Sequence, residues 1–294
     1  MTFQKARVTE LPSTGERHLT ERFDENTAEH LHRYALAMEL CKGRDILDIA
    51  SGEGYGSNLL AELANTVVGV DISNEAVDHA QAKYKKSNLR YIKGSADRIP
   101  LDSNSVDLVV SFETLEHHDM HEEMFAEIKR VLRPGGTLLM STPEKLYYSD
   151  IPNYQNAYHV KELYLEQFMA LAQKFFRNTA AIFQAVRYGS IIVPENGGES
   201  FSYFRGTYQH LNSVGPMPEP IYNLCLASDE LLPTIGPSFF DARQALDQRM
   251  QNITSKCDAR IAGLSQQLVN ISNSSSYRLG RALTWPIRKI LGRK

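Results

Sequence analysis

From Arg44 onward, short runs of β-branched and other apolar residues alternate with longer stretches whose apolar positions recur every three or four residues. Such succession is how βαβ units read in sequence, and it predicts a mostly parallel sheet with helices on both faces. Strands are expected at Asp45 to Ile49, Thr66 to Asp71, Leu89 to Lys93, Val106 to Phe112 and Gly136 to Ser141. Between them fall a helix from Asn74 to Lys85, opened by Ser73 as N-cap, and one from Met120 to Leu132, stopped by Pro134, Gly135 and Gly136. A tyrosine-rich loop after Pro143 leads to a helix near Lys161 to Lys174, and strands near Ala180 to Val186 and Ile221 to Ala227 complete the sheet. The intervening Arg187 to Pro220 is rich in Gly, Ser, Pro and Tyr and reads as an inserted loop.

Beyond the Pro233 to Pro237 breaker, Leu246, Met250, Ile253, Cys257, Ile261, Leu264, Leu268 and Ile271 form a helical stripe. It fits a self-associating coiled coil or a helix packed back on its own domain. Asn270 to Ser276 reads as a polar hinge. The last stretch, SSSYRLGRALTWPIRKILGRK, carries Arg278, Arg281, Arg288, Lys289, Arg293 and Lys294 with no acidic residue, mixed with Trp285 and aliphatics. That mixture suits an anionic membrane interface more than nucleic acid, with Pro286 expected to kink the helix. The expected division is therefore a domain over 1–232 with an N-terminal helical cap, a helical segment over 241–272 and a basic tail over 273–294.

Composition is that of a globular chain: 294 residues, 42% hydrophobic and 23% charged, enough to bury a core without covalent staples. A net charge of -3 argues against a whole-surface nucleic-acid binder. Cys41, Cys225 and Cys257 have neither disulfide nor zinc-site spacing, so a reducing cytoplasm is expected. The N-terminus shows no secretory apolar region, and no apolar run is long enough to span a bilayer.

The segment DILDIASGEGYGSN, residues 45 to 58, carries the most chemistry. A hydrophobic strand runs into Gly52, Gly54 and Gly56, and missing Cβ atoms there let the backbone turn sharply and approach a ligand. Asp48 and Glu53 would repel a pyrophosphate but tolerate a cation, and the spacing is GxGxG rather than the dinucleotide GxGxxG. Asp71, ending the next strand, is placed to accept hydrogen bonds from both hydroxyls of a ribose. Ala96 and Asp97 follow the third strand where an adenine amino group would need an acceptor.

The residues LDIASGEGYGS, VGVDIS, GSADRIPLDSNSVDLVVSFETLEH and RVLRPGGTLLMSTP resemble successive motifs of class I S-adenosylmethionine-dependent methyltransferases. The resemblance implies a Rossmann-like, seven-stranded α/β sheet with one antiparallel strand and a C-terminal helical extension. It also implies S-adenosyl-L-methionine as cofactor, cradled by Asp48, Gly52, Gly54, Asp71, Asp97 and the strand end Phe112 to Glu113. The N-terminal GERHLTE with HLHRYA, carrying Glu16, Arg17 and Arg33, is similar to the subgroup associated with bacterial surface-polysaccharide synthesis, although His18, Leu19 and Thr20 stand where that subgroup has an aromatic and Pro-Glu. Similar tails accompany enzymes acting on lipid-linked glycans.

Methyl transfer to a hydroxyl needs alignment and removal of a proton. His117, after the fourth strand, and His159, before the helix near Lys161, are the candidate bases; a backbone-bonded loop histidine and a helix cap are their plainer readings. Tyr147, Tyr148, Asn153, Tyr154 and Tyr158 near His159 suit a sugar. Glu116, His118, Asp119 and His121 imitate a metal cluster, but such residues at a helix start reflect capping, His118 and His121 are expected to face solvent, and no metal is expected. The resulting expectation is an O-methyltransferase of a surface glycan at the inner face of the membrane. A methyltransferase of a lipid, quinone or metabolite, and a non-catalytic adaptor of a glycan-assembly complex, remain as alternatives.

Overall fold

The computed structural model describes residue 20 and residues 25–186, 190–195, 204–207, 210–213 and 219–290. Glu16, Arg17, His18 and Leu19 of the N-terminal motif, and Arg293 and Lys294 of the tail, lie outside the described residues. The chain divides into two compact units, Met1–Arg243 and Gln244–Lys294.

The first unit opens with helix α1 (Glu25–Cys41), followed by β1 (Asp45–Ile49), α2 (Tyr55–Leu60), β2 (Thr66–Asp71), α3 (Asn74–Lys83), β3 (Leu89–Lys93) and β4 (Val106–Phe112). Helix α4 (His121–Val131), β5 (Leu132–Pro143), α5 (Leu165–Phe175) and β6 (Asn178–Val186) come next. Then come β7 (Ser190–Pro194), the hairpin β8 (Phe204–Thr207) and β9 (His210–Ser213), β10 (Tyr222–Ser228) and β11 (Ser238–Phe240). The main sheet has the order β11-β7-β6-β10-β5-β4-β1-β2-β3. From β3 to β5 every pairing is parallel, and β10 runs antiparallel to both β5 and β6.

Seven of these strands form the expected Rossmann-like sheet with its single antiparallel member. Two more extend it, since β7 and β11 add antiparallel to the β6 edge. Part of the Arg187 to Pro220 stretch is therefore strand and not loop: the apolar run Ser190–Pro194 finds open backbone groups along β6. Residues just past the proline breaker cap the new edge in the same way.

Alternation along the strands divides the interior. Leu47, Ile49 and Val109 pack with Met124, Phe125 and Ile128 of α4 and Phe168 of α5 on one face. Ile46, Leu108 and Val110 pack with Tyr34, Ala37 and Leu40 of α1 on the other. Met124, Phe125 and Ile128 are fully buried, each stabilising the fold by about 1.5–3 kcal/mol relative to exposure. Glu122 and Glu123 in the first turn of α4 and Lys129 and Arg130 in its last complement the helix dipole. Ser73 caps α3 as expected, accepting the Ala76 N–H at 3.2 Å. Strand β5 starts earlier than its pattern suggests, because Leu132 pairs with Val106 before a register shift, and the β5 stretch between Leu132 and Thr137 contains Gly135 with φ 78°.

In the second unit, α6 (Arg243–Asn273) carries the apolar stripe and α7 (Ser275–Ile290) the basic tail. The helix continues to Asn273, so the polar hinge is confined to Ser274, and α7 continues through Pro286.

Candidate active site

The loop after β1 takes its shape from what packs beneath it. Ala50 and Gly52 have positive φ of 57° and 55°, and Gly54 reaches 93°. A Cβ on Gly54 would sit 2.7 Å from Cβ of Ala80, and one on Gly56 only 1.9 Å from the Tyr34 ring. The Tyr91 hydroxyl donates to the Gly54 carbonyl at 2.6 Å. Of the three glycines, only Gly52 lines a cleft. The other two are required by packing within the protein, Gly54 against Ala80 and Tyr91 and Gly56 against Tyr34.

Asp48 lies fully buried under this loop, accepting from Ser57 Oγ at 2.6 Å and the Tyr34 hydroxyl at 3.2 Å. Burial pushes its carboxyl up to about 7, against the pull of those two bonds and with help from nearby Asp71. Glu53 does not offer an unpaired carboxylate to a cation: it is ion-paired with Lys83 and accepts from the Tyr84 hydroxyl at 2.7 Å and Thr20 Oγ1 at 3.1 Å.

Asp71 closes β2 beside the loop. Its two oxygens accept the Gly52 N–H at 2.8 Å and the Ser73 N–H at 2.9 Å, leaving one lone pair on each for a further donor. Ala96 packs on the core of the α4 face. Asp97 sits in the turn from Ser95 to Arg98, where the Ser95 hydroxyl bonds it and holds its carboxyl below the usual range. Phe112 and Glu113 line the cleft. Glu113 has the unusual φ of 51° and is pinned by the Ser141 hydroxyl at 2.6 Å.

The cleft has a volume of about 280 Å³ and lies at the carboxyl edge of β1 and β4, between the glycine loop and Glu29, Glu113, Glu116 and Tyr222. Arg33, fully buried on α1, donates to Gln184 at 2.7 Å, lies 3.9 Å from Glu113 and stacks 4.7 Å over the Tyr222 ring. Burial pushes the Glu116 carboxyl well above the usual range, and the Glu113 carboxylate adds to the rise. Sequence reasoning missed Glu29, Tyr34, Tyr55 and Tyr222 as parts of this region. The i, i+4 spacing of Glu29 and Arg33 on one helix face was the available signal.

His117 and His159 do come together, with ring centroids 5.2 Å apart at 80°. Nδ1 of His117 is 3.2 Å from the Tyr158 carbonyl. Nδ1 of His159 is 2.5 Å from Glu162 Oε1, and its Nε2 is 3.0 Å from the Asn156 amide nitrogen. Tyr148 stacks on the His159 ring at 5.4 Å. Tyr154, Asn156 and His159 also line a second, open groove of about 670 Å³, shared with Lys145, Asp150 and Lys161. His118 and His121 do not face solvent as expected. His121 is 5% exposed, with Nε2 2.8 Å from the carbonyls of Leu115 and His118, and His118 is half-buried against it.

Residues 47–140 match a family described as a methyltransferase domain. A protein of Mycolicibacterium smegmatis named a probable S-adenosylmethionine-dependent methyltransferase is 39% identical over 52% of this chain and 60% of its own length. A phthiotriol/phenolphthiotriol dimycocerosates methyltransferase of Mycobacterium leprae is 30% identical over 40% of this chain and 45% of its own. The chain thus spans less than two thirds of either relative. The solved structure of YcgJ from Bacillus subtilis, at 16% identity, overlays 69% of this chain and 100% of its own with a TM-score of 0.49.

The Asp48 environment generates a stability test. In the fold its carboxyl keeps a proton up to about 7, whereas its ordinary value is 3.8. Between those pH values the folded chain holds more protons than the unfolded one, so this group makes stability fall as pH rises from about 4 to about 7. Asp48→Asn should flatten that fall by about 2 kcal/mol between pH 5 and pH 7.5, read from urea unfolding at both pH values. Equal slopes in both proteins would contradict the assignment.

Proposed function

We propose that this chain transfers a methyl group from S-adenosylmethionine to a hydroxyl of a surface glycan or lipid-linked polysaccharide. The observation that carries the reading is a cleft in two connected parts: a carboxylate-walled cavity at the glycine loop, joined through Tyr154, Asn156 and His159 to an open groove lined by polar and aromatic side chains. The match of residues 47–140 to a methyltransferase domain supports the reaction type.

The residues present fit the cofactor. Asp71 retains acceptor capacity beside the positive-φ turn at Gly52, suiting a ribose, and Ala96 and Asp97, after β3, are the candidates to meet a base. Glu29 and Glu113 put carboxylates on the cavity wall, beside Glu116, whose charged form burial disfavours, and this wall suits a cation better than the phosphates that a dinucleotide would bring. Phe112 adds an apolar wall. Asp48 acts beneath the loop, holding its shape through Ser57 and Tyr34. When bound, S-adenosylmethionine supplies an activated methyl on a sulfonium whose departure needs no acid.

The chain's own part is then alignment and proton removal. Glu162 accepts the His159 Nδ1 proton, which fixes the tautomer and leaves Nε2 as the basic atom. Asn156 donates to that nitrogen and yields it when an acceptor hydroxyl arrives. His117 flanks the same position. Tyr148 and Tyr154 offer faces against which a sugar's C–H surface stacks. The name of the Mycobacterium leprae relative favours a second reading, in which the acceptor is a hydroxylated lipid.

The second unit supplies a means of reaching a lipid-linked acceptor. On α7, Leu279, Leu283 and Trp285 are 62–70% exposed beside Arg278 and Arg281, the combination that binds anionic membrane surfaces. The α6 stripe, with Ile253, Ile261, Leu264 and Leu268 exposed, offers a seam for self-association. We assign the protein to the cytoplasmic side of the membrane on these grounds.

Mass spectrometry of acceptors incubated with methyl-labelled S-adenosylmethionine tests the reaction. Label should enter lipid-linked glycan, and His159→Ala should slow single-turnover transfer about 100-fold or more with cofactor affinity retained. Label in lipid chains alone would replace the glycan reading with the lipid one, and an unslowed variant would remove His159 from the chemistry. Deleting Tyr277 to Lys294 should abolish salt-sensitive co-sedimentation with anionic vesicles and leave methylation of a soluble acceptor intact. Persistent sedimentation would exclude the tail as the anchor.

A further inference from the structure

We propose that Glu116, His117 and His159 form a binding site for one divalent transition-metal ion of the zinc class. One ligand atom from each of the three residues lies within 4.8 Å of the others. They come from adjoining parts of the fold: Glu116 and His117 from the turn Leu115–His117 after β4, and His159 from the segment leading to α5.

The support around the rings points the same way. A metal-binding histidine commonly directs its second nitrogen at a carboxylate or a backbone carbonyl, which fixes the tautomer and the ring orientation. Both forms occur here, with Glu162 at 2.5 Å from Nδ1 of His159 and the Tyr158 carbonyl at 3.2 Å from Nδ1 of His117. Each arrangement presents Nε2 as the coordinating atom. Tyr148 stacks on His159 with an interplanar angle of 23°, restricting its rotation.

The third ligand is a carboxylate away from water. Glu116 is 1% exposed, and the Thr142 hydroxyl donates to Oε2 at 3.2 Å. A dication would bring it the opposite charge that a buried carboxylate needs. Two imidazoles and one carboxylate match zinc, cobalt, nickel or iron in the divalent state, whereas magnesium and calcium prefer all-oxygen shells. Ligands around a tetrahedral zinc lie about 3.4 Å apart, whereas these atoms lie within 4.8 Å of one another, so the three must close by at most about 1.4 Å, and the metal must displace the Asn156 amide from His159 Nε2. The inference stands apart from the proposed methyl transfer, because the residues alone define the site.

The test uses the full chain, stripped with chelator and without cofactor or acceptor. Zinc added in a calorimeter should bind with one-to-one stoichiometry, and cobalt should give the visible absorption of a low-symmetry nitrogen and oxygen site. Glu116→Gln, His117→Ala and His159→Ala should each weaken binding at least tenfold. Glu162→Gln, which removes only the partner of His159, should weaken it by about 10- to 100-fold, while His118→Ala should leave it unchanged. Should the buried Glu116 variant fail to fold, the His117 and Glu162 variants decide the question. Absence of saturable zinc binding, equal affinity for magnesium, or binding indifferent to the His117, His159 and Glu162 substitutions would each overturn the proposal.

Discussion

A carboxylate with no access to water has to be satisfied by the protein, and at Asp48 that requirement joins three elements. Its oxygens accept the hydroxyls of Tyr34 on α1 and Ser57 on α2, while its own backbone lies in the parallel pairing of β1 with β2 and β4. The Tyr34 ring that reaches Asp48 also fills the space where a side chain on Gly56 would stand. Helix α1 is thereby held against the glycine loop, and the loop is held in the shape that turns the Gly52 N–H toward Asp71. The cleft exists because this buried bond set leaves the chain few other ways to leave β1.

Charge at the cleft follows a consistent arrangement. Glu53 is neutralised by Lys83, and Arg33 lies beside Glu113. Burial, with the Glu113 carboxylate nearby, raises the Glu116 carboxyl well above the usual range. A cavity walled by carboxylates whose charges are partly suppressed can accept a positively charged ligand with little repulsion to overcome and an attraction that grows as water is expelled. His159 lines both the cleft and the open groove, and His117 lines the cleft.

The boundaries of β1 to β4 were legible because each is a short apolar run set between turn residues, and a buried parallel strand leaves that trace in any order of neighbours. Strands β7 and β11 were not, since a three-residue strand ending in Phe240 becomes a strand only by finding an edge to pair with. His121 looked like a solvent residue at a helix start, yet its ring nitrogen meets two backbone carbonyls that the fold brings from Leu115 and His118. Tyr34 could not be singled out because its partner is a glycine 22 positions later, and the absence of an atom leaves no pattern. Glu162 was within reach: a carboxylate three residues after a candidate histidine is a local pair, and here it is the one that orients the ring.

The central claim is that Asp71 and the glycine loop hold the ribose of S-adenosylmethionine. Calorimetric titration of S-adenosylmethionine into the wild-type chain and into folded Asp71→Ala tests it most directly. The account predicts saturable one-to-one binding that the substitution weakens by about 1.5–3 kcal/mol, the range for hydrogen bonds to a charged group. No binding to the wild-type chain, or equal affinity in both proteins, would contradict it.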